Sequence, residues 1–206
     1  MIIAVDGPTA SGKGTIAKAV AAHFGLPHLD TGLLYRAVGR QVFLDGGDPE
    51  NGGDALAATG FPDSLLEDPH LRDEQTGGLA SRVSVHPAVR QALYERQRAF
   101  ATQDGGAVLD GRDIGTVIAP EAEAKLFVTA SVEARAQRRF LEMRERGARV
   151  TLLEIQDDLR RRDERDRNRA VAPLVPAEDA MVIDTSSLGR DEAIAAAIEA
   201  VTQAVS

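Results

Sequence analysis

The sequence predicts an α/β fold in which helices cover both faces of a parallel sheet. Short apolar segments alternate with segments that have the hydrophobic spacing of a helix. A glycine-rich turn follows the first strand, and polar residues directly end three strands, at Asp6, Asp30 and Asp110. Parallel α/β sheets bind ligands beyond the carboxyl ends of their strands. We therefore expect the three polar motifs to converge on one site.

The first elements follow from short local patterns. Residues 2–5 are an apolar run before Asp-Gly-Pro, which is typical of a buried strand and a turn. Residues 13–24 have an apolar helical side, and Gly25 and Pro27 end that helix. A brief strand over 28–30 and a helix over 31–44 follow. These patterns predict two successive strand–helix units.

The middle of the chain, residues 46–78, is rich in Gly, Pro, Asp and Glu and keeps no hydrophobic period. We expect an irregular surface insert there, with helical turns at 55–58 and 64–67. A helix resumes over residues 85–102. Further strands are expected at 107–109, 126–129 and 181–183, and further helices at 131–146, 152–166 and 191–205. Ser131 is expected to N-cap the helix 131–146, which should end near Arg146.

Composition excludes several classes of function. The 206 residues and 43% apolar content suit one domain with a small subdomain, and the net charge of -8 argues against a nucleic-acid partner. The absence of cysteine excludes disulfides, thiolate catalysis and Cys-rich zinc sites. The chain shows neither a signal-peptide pattern nor an apolar run long enough for a membrane span. We expect a soluble cytoplasmic protein.

A phosphate-binding loop is predicted between the first strand and the first helix. Its glycines let backbone N–H groups curl around phosphates, the helix N-terminus adds positive potential, and Lys13 can reach the β- and γ-phosphates. The general pattern has Ser or Thr directly after the lysine, whereas here Gly14 intervenes and Thr15 follows. This variant resembles the loop of nucleoside monophosphate kinases, which implies that Thr15 contacts Mg²⁺ or phosphate. The predicted ATP-binding loop consists of Gly7, Pro8, Thr9, Ala10, Ser11, Gly12, Lys13, Gly14 and Thr15. A tight strand–helix turn is the alternative, but it does not explain a lysine between two glycines.

Two further motifs can bind an acceptor. Thr31 can cap the helix that carries Arg36, whose guanidinium can reach an anion; an N-cap with a surface arginine is the alternative. In the segment from Asp110 to Thr116, Arg112 suits a phosphate and Asp113 can accept a hydrogen bond from an exocyclic amine. A structural Asp–Arg pair is the alternative there.

Arginine is concentrated late in the chain. Twelve of the 21 arginines lie between Arg135 and Arg169. Arg162, Asp166 and Arg169 share one helical face, so that Asp166 can hold Arg162 or bind a ribose hydroxyl. Arginines suit a transition state whose charge is spread over three phosphoryl oxygens. A solvated helix with ion pairs is the alternative.

Together these motifs resemble the bacterial cytidylate (CMP) kinases. The resemblance rests on the loop at 7–15, Asp-Thr-Gly-Leu-Leu-Tyr-Arg at 30–36, Asp-Gly-Arg-Asp-Ile-Gly-Thr at 110–116, and the arginine-rich segment 162–169 with Pro-Leu at 173–174. It implies a P-loop kinase fold with a five-stranded parallel sheet. It also implies one domain over residues 1–206, which includes a nucleoside monophosphate (NMP)-binding insert at about 31–105 and a lid at about 144–170.

The resemblance also implies a role for individual residues. Lys13, Arg112, Arg162 and Arg169 would be catalytic, and Arg135 and Arg139 would contact ATP from the lid. Arg36, Arg112 and Arg169 would bind the CMP phosphate; Asp166, positioned by Arg162, would bind the ribose; Ser81, Arg90 and Asp113 would read cytosine, with Thr31 nearby. One departure is that residues 46–80 have no alternating strands for the small antiparallel sheet that many of these kinases carry.

The implied reaction is ATP + CMP, or dCMP, giving ADP + CDP or dCDP by Mg²⁺-dependent in-line transfer in pyrimidine nucleotide metabolism. It needs no strong base, which agrees with a site rich in arginine; the four histidines form no metal-spaced set, and we interpret them as structural or exposed. The resemblance suggests a monomer. A kinase for UMP or a non-nucleotide such as shikimate remains an alternative, as does an ATP-binding switch without an acceptor.

Overall fold

A computed structural model describes residues 1–145 and 147–206. The chain divides into two compact units. The first combines Met1–Leu29 with Gln103–Ser206, and we refer to it as the sheet unit. The second is the continuous segment Asp30–Thr102, which we refer to as the helical unit.

The described residues form one five-stranded sheet in the order β2-β3-β1-β4-β5. Its strands are β1 (Ile2–Asp6), β2 (His28–Asp30), β3 (Ala107–Gly111), β4 (Ala124–Thr129) and β5 (Met181–Asp184). β1 pairs in parallel with β3 and β4, and β4 pairs in parallel with β5. The predicted parallel α/β fold is confirmed. Asp6 lies opposite Gly111, so the phosphate loop and the segment after β3 begin at the same edge of the sheet.

The described residues also form eight α-helices. They are α1 (Lys13–Phe24), α2 (Thr31–Leu44), α3 (Gly52–Ala57), α4 (Glu74–Val83), α5 (Pro87–Ala101), α6 (Val132–Glu145), α7 (Leu152–Asn168) and α8 (Arg190–Ala204). Of these, α1, α6, α7 and α8 belong to the sheet unit. None of the helices in the described part of the chain has both the length and the apolar character that a membrane span requires.

The core of the sheet unit is aliphatic. Ile3, Val5 and Leu126 are at most 1% exposed, and they belong to one cluster with Ile16 of α1 and Val201 of α8. Burying each side chain of this kind contributes about 1.5–3 kcal/mol. The apolar runs of β1, β3 and β4 are therefore strands with most residues buried, which is the usual setting of parallel strands.

Helix ends follow the local signals. Gly25 adopts a φ of 66° after α1, and its N–H donates to the Ala21 carbonyl. Ser131 Oγ accepts from the Ala134 N–H at 3.1 Å, which confirms the predicted cap of α6. Thr151 and Glu154 form a reciprocal capping box at the start of α7. The end of α6 expected near Arg146 lies outside the described residues.

The helical unit corrects one expectation. Residues 46–78 are not an irregular insert but a series of short helices, with 3₁₀ turns over Ala58–Gly60, Asp63–Glu67 and Pro69–Arg72 and with α4 beginning at Glu74. Helical turns were expected at 55–58 and 64–67, where the structure has the end of α3 and the 3₁₀ turn over Asp63–Glu67. The start of α4 was missed because two glycines weaken its helix propensity. Packing overrides that weakness: a Cβ on Gly39 of α2 would lie 2.8 Å from the Leu79 Cβ of α4, so the helices approach closely.

Candidate active site

The phosphate loop connects β1 to α1 and curls tightly. Gly12 adopts a φ of 93° directly before α1, where glycine avoids the strain of a left-handed backbone. A Cβ on Gly7 would lie 2.0 Å from the Val128 carbonyl oxygen, so this position requires glycine for space as well. The Lys13 ammonium donates to the Pro8 carbonyl at 3.4 Å across the loop. The loop thus has the helix N-terminus and the lysine that an anion site needs.

Asp6 anchors the segment after β3. Its two carboxylate oxygens accept from the Ile114 N–H at 2.9 Å and from the Gly115 N–H at 2.8 Å. Burial raises the pKa of Asp6 to about 7, an effect that these two hydrogen bonds partly oppose. The Asp6 motif and the Asp110 motif therefore meet, as the sequence predicted, through a contact between a side chain and the backbone.

Asp110 lies between a histidine and the phosphate loop. His28 Nε2 and Asp110 Oδ2 are 2.7 Å apart, and both side chains are largely buried. A Cβ on Gly14 would lie 3.9 Å from both Asp110 carboxylate oxygens, so this carboxylate faces the loop. The contact gives His28 a structural role, as we interpreted the histidines from the sequence, and it fixes the position of Asp110.

Arg112 joins the segment after β3 to both the loop and α7. Its Nη2 donates to Thr9 Oγ1 at 2.6 Å, and its Nε donates to Asp166 Oδ2 at 2.5 Å. Its side chain is 24% exposed, whereas that of Asp166 is 5% exposed. Thr9 of the phosphate loop, Arg112 and Asp166 thus form one chain of charge-assisted hydrogen bonds.

Asp113 and Arg169 form a second pair near the end of α7. Arg169 Nη2 lies 3.5 Å from Asp113 Oδ1, and Arg169 Nε donates to the Ala172 carbonyl at 2.5 Å. Both charged side chains are buried, at 7% and 3% exposure. Buried charges need partners, and these two residues supply each other with one.

Arg162 has an ion-pair partner on its own helix. Its Nε lies 2.7 Å from Asp158 Oδ2, one turn earlier on α7. Asp166, which was predicted to hold Arg162 or to bind a ribose hydroxyl, accepts a hydrogen bond from Arg112 through its Oδ2. Arg162, Asp166 and Arg169 are all buried. A solvated charged helix is therefore wrong for this face of α7.

The helical unit holds the other predicted acceptor residues. Thr31 is the buried first residue of α2, and Asp30, not Thr31, occupies the N-cap position. Arg36 Nη1 donates to the carbonyls of Leu71 and Asp73 at 2.8 and 3.1 Å. These two contacts hold the Arg36 guanidinium against the segment that leads into α4.

Ser81 and Arg90 belong to neighbouring helices of that unit. Arg90 is 7% exposed and lies 5.5 Å from the centre of the Tyr35 ring. Its Nη1 donates to the Ser84 carbonyl at 3.4 Å, and Ser84 Oγ donates to the Ser81 carbonyl at 3.1 Å. Ser84, at the end of α4, thus connects two of the three predicted base-reading residues.

A family model described as cytidylate kinase matches residues 3–52 and 63–203. The chain belongs to the cytidylate kinase family. Proteins named cytidylate kinase from Cereibacter sphaeroides and Methylocella silvestris are 56% and 53% identical to it, over 97% and 99% of this chain and 94% and 95% of their own lengths. The resemblance inferred from the sequence motifs is confirmed.

Two solved structures support the fold alone. An uncharacterized protein from Eubacterium ventriosum matches with a TM-score of 0.56 at 18% identity, over 98% of both chains. The protein TT1252 from Thermus thermophilus matches with a TM-score of 0.50 at 22% identity, over 100% of this chain and 98% of its own.

Within this member of the cytidylate kinase family, Arg135 of α6 has a supporting position. It is 2% exposed; its guanidinium forms two hydrogen bonds with Asp163, at 3.0 and 2.5 Å, and donates to the carbonyls of Ala130 and Thr9 at 3.0 and 3.1 Å. Most N–H groups of Arg135 therefore donate hydrogen bonds within the protein. Arg139, four residues further on, is half-buried.

Sequence reasoning missed a second support of the loop. Thr185, directly after β5, donates from Oγ1 to the Ser11 carbonyl at 3.0 Å. Arg138 Nη1 lies 3.1 Å from the same hydroxyl oxygen, and its Nη2 donates to the Thr185 carbonyl. The predicted position of Thr185 at a strand end was the only sequence signal, and strand ends are too common to single out one threonine.

Proposed function

We propose that this chain transfers the γ-phosphoryl group of ATP to CMP, giving ADP and CDP, and that dCMP is a second acceptor. The observation that carries the proposal is the hydrogen bond of 2.6 Å between Arg112 and Thr9. It brings an arginine of the acceptor motif into direct contact with the phosphate loop. Membership of the cytidylate kinase family supports the same reaction.

The donor would be held mainly by the phosphate loop. Its backbone N–H groups, the N-terminus of α1 and Lys13 provide positive potential for the ATP phosphates. Arg139 is proposed as a further ATP contact, whereas the buried contacts of Arg135 favour support of the loop over direct binding. Lys13 would neutralise charge that develops on the transferred group.

The acceptor would be recognised by the residues of the predicted acceptor motifs. We propose Arg36, Arg112 and Arg169 for the phosphate of CMP, and Asp166 with Arg162 for its ribose. Ser81, Arg90 and Asp113 are proposed for the cytosine edge, with Thr31 beside them. An amide-like base edge needs both donors and acceptors, and this set supplies guanidinium, hydroxyl and carboxylate groups. We also propose that residues of about 31–105 form the acceptor-binding subdomain and that about 144–170 act as a lid.

Catalysis by such a site would consist of positioning and charge neutralisation. The acceptor phosphate is already an anionic nucleophile, so no strong general base is required. Arg112 and Arg169 are each held by a carboxylate and by a second oxygen, which keeps their planar groups in a fixed orientation. Donors fixed before the reaction stabilise the transition state without reorganising during it.

The loop residues fit a magnesium ion that arrives with ATP. Mg²⁺ typically keeps several waters and uses one or two protein oxygens together with substrate phosphates. Thr15 carries an exposed hydroxyl at the loop, and the Asp110 carboxylate faces Gly14. Across residues 1–145 and 147–206, no cluster of three or more His, Asp or Glu side chains could bind a metal by itself, which agrees with that mode. When bound, the ion would neutralise charge on the phosphate oxygens.

A coupled assay of ADP release tests the function. The protein is supplied with Mg-ATP and, separately, with CMP, dCMP, UMP, AMP and shikimate. We expect CMP to give the highest kcat/KM, followed by dCMP. A higher value for UMP or shikimate would leave a kinase but refute the proposed base-reading residues. ATP turnover that no acceptor changes would instead favour an ATP-binding switch. We further propose that the protein is a cytoplasmic monomer. Sedimentation equilibrium would test the oligomeric state by measuring the mass in solution.

A further inference from the structure

Two arginines donate hydrogen bonds to Thr9 of the phosphate loop. Its carbonyl oxygen accepts from Arg135 Nη1 at 3.1 Å, and its side-chain Oγ1 accepts from Arg112 Nη2 at 2.6 Å. Thr9 is itself 9% exposed. The two arginines come from different elements, α6 and the segment after β3, so this one residue joins three parts of the sheet unit.

Both arginines are held in turn by α7. Arg135 pairs with Asp163 and Arg112 with Asp166. The two aspartates are three residues apart and therefore lie on one side of the helix. Two parallel Arg–Asp pairs thus connect Thr9 to the helix that carries Arg162 and Asp166.

Stability alone does not account for this arrangement. Asp163 and Asp166 are 7% and 5% exposed, and desolvation of a buried ion pair cancels much of its attraction. Apolar side chains of similar size would stabilise such a place equally well or better. Two ion pairs that meet on one loop residue do, however, fix where their guanidinium groups point.

We propose that Thr9 is a positioning residue that couples the phosphate loop to α7 and orients Arg112 for the acceptor phosphate. This inference rests on the proposed function. Through Arg112, the Thr9 hydroxyl acts on the acceptor side of the site. Through Arg135, the Thr9 carbonyl keeps the loop aligned with Asp163. Loss of the hydroxyl should therefore affect CMP more than ATP, although Thr9 belongs to the ATP loop.

The test is Thr9→Val, which keeps the shape and the backbone carbonyl but removes the oxygen that faces Arg112. We expect KM for CMP to rise about tenfold, which corresponds to the loss of one charge-assisted hydrogen bond, while KM for ATP changes less than about twofold. Thr9→Ser retains the oxygen and should recover most of the increase. Thr202→Val, at an exposed position of α8, makes the same chemical change outside the site and is the control for both variants.

A double-mutant cycle separates this role from a structural one. If Thr9 acts through Arg112, Thr9→Val changes KM for CMP in the parent but adds little in an Arg112→Ala background. Additive effects, equal increases in both KM values, or an unchanged KM for CMP would each overturn the inference. If Thr9→Val does not fold, Thr9→Ala removes the same oxygen and is measured in the same cycle. A parent protein without CMP turnover would refute the proposed function and this inference together, whereas CMP turnover with an unaffected variant refutes the inference alone.

Discussion

Asp6→Asn tests how the buried carboxylate affects stability. Asp6 is 5% exposed, and its pKa is raised from 3.8 to about 7, mainly because burial disfavours its charge. Between these two pKa values the folded protein keeps a proton that the unfolded chain has lost. The free energy of unfolding therefore falls as pH rises through this range. Between pH 5 and pH 8 the contribution of Asp6 should decrease by about 3 kcal/mol.

Asparagine cannot lose a proton, but it also cannot accept from two N–H groups in the same way. One of its two terminal atoms is an NH₂ donor, which would face the Ile114 or Gly115 N–H. We expect that mismatch to destabilise the variant by about 1–3 kcal/mol at pH 5, where the parent carboxyl is protonated. At pH 8 the parent carries the buried charge, so the variant should become as stable as the parent or more stable.

The assay is urea unfolding of both proteins at several pH values, followed by far-ultraviolet circular dichroism because the chain has no tryptophan. Other groups titrate in both proteins and cancel in the difference between them. The parent-minus-variant difference should decrease by about 3 kcal/mol from pH 5 to pH 8. A difference that changes by less than about 1 kcal/mol would refute the raised pKa of Asp6.

Three further variants test the site and the fold. Arg112→Ala should lower kcat/KM for CMP by about a hundredfold or more and leave KM for ATP nearly unchanged, since it removes a guanidinium that can donate two hydrogen bonds to the acceptor phosphate. Near-normal CMP turnover would contradict the role of Arg112. Asp113→Ala should reduce the preference for CMP over UMP more than it lowers Tm, and an unchanged preference would exclude Asp113 as a base reader. Gly39→Ala should destabilise the protein by about 1–3 kcal/mol because its Cβ meets Leu79 and Ala80 within 2.9 Å. Gly60→Ala, where nothing lies within 4 Å, is the matched control, and equal Tm values for the two alanine variants would disprove the close contact of α2 with α4.

Local signals were sufficient for much of the sheet unit. The helix 13–24 and the strand 28–30 were predicted with the bounds that the structure has, since Gly25 and Pro27 mark the boundary between them. The start of α4 could not be predicted in this way. Its two glycines oppose a helix, and the contact at Gly39 that stabilises it comes from a residue far along the chain.

The candidate site shows the same limit. Residue type and position at strand ends were enough to propose Arg112 and Asp113 as functional residues. The partners of Asp6 could not be predicted, because the N–H groups that it holds are 108 and 109 residues away and belong to the backbone. The pair of Arg135 with Asp163 was missed for a related reason: two charged residues on different helices carry no signal of contact until the helices pack.

The division of the sheet unit has a consequence for protein synthesis. β1 is synthesised before its partners: Ile2 pairs with Ala107 and Ile3 with Ala124, so both neighbouring strands are made only after the whole helical unit. At roughly 5–20 residues per second, β1 waits on the order of ten seconds for its partners. The helical unit, by contrast, is continuous and can start to fold during that time. We therefore expect the nascent apolar strand to need protection by chaperones, and a slower translation rate to lengthen that exposure.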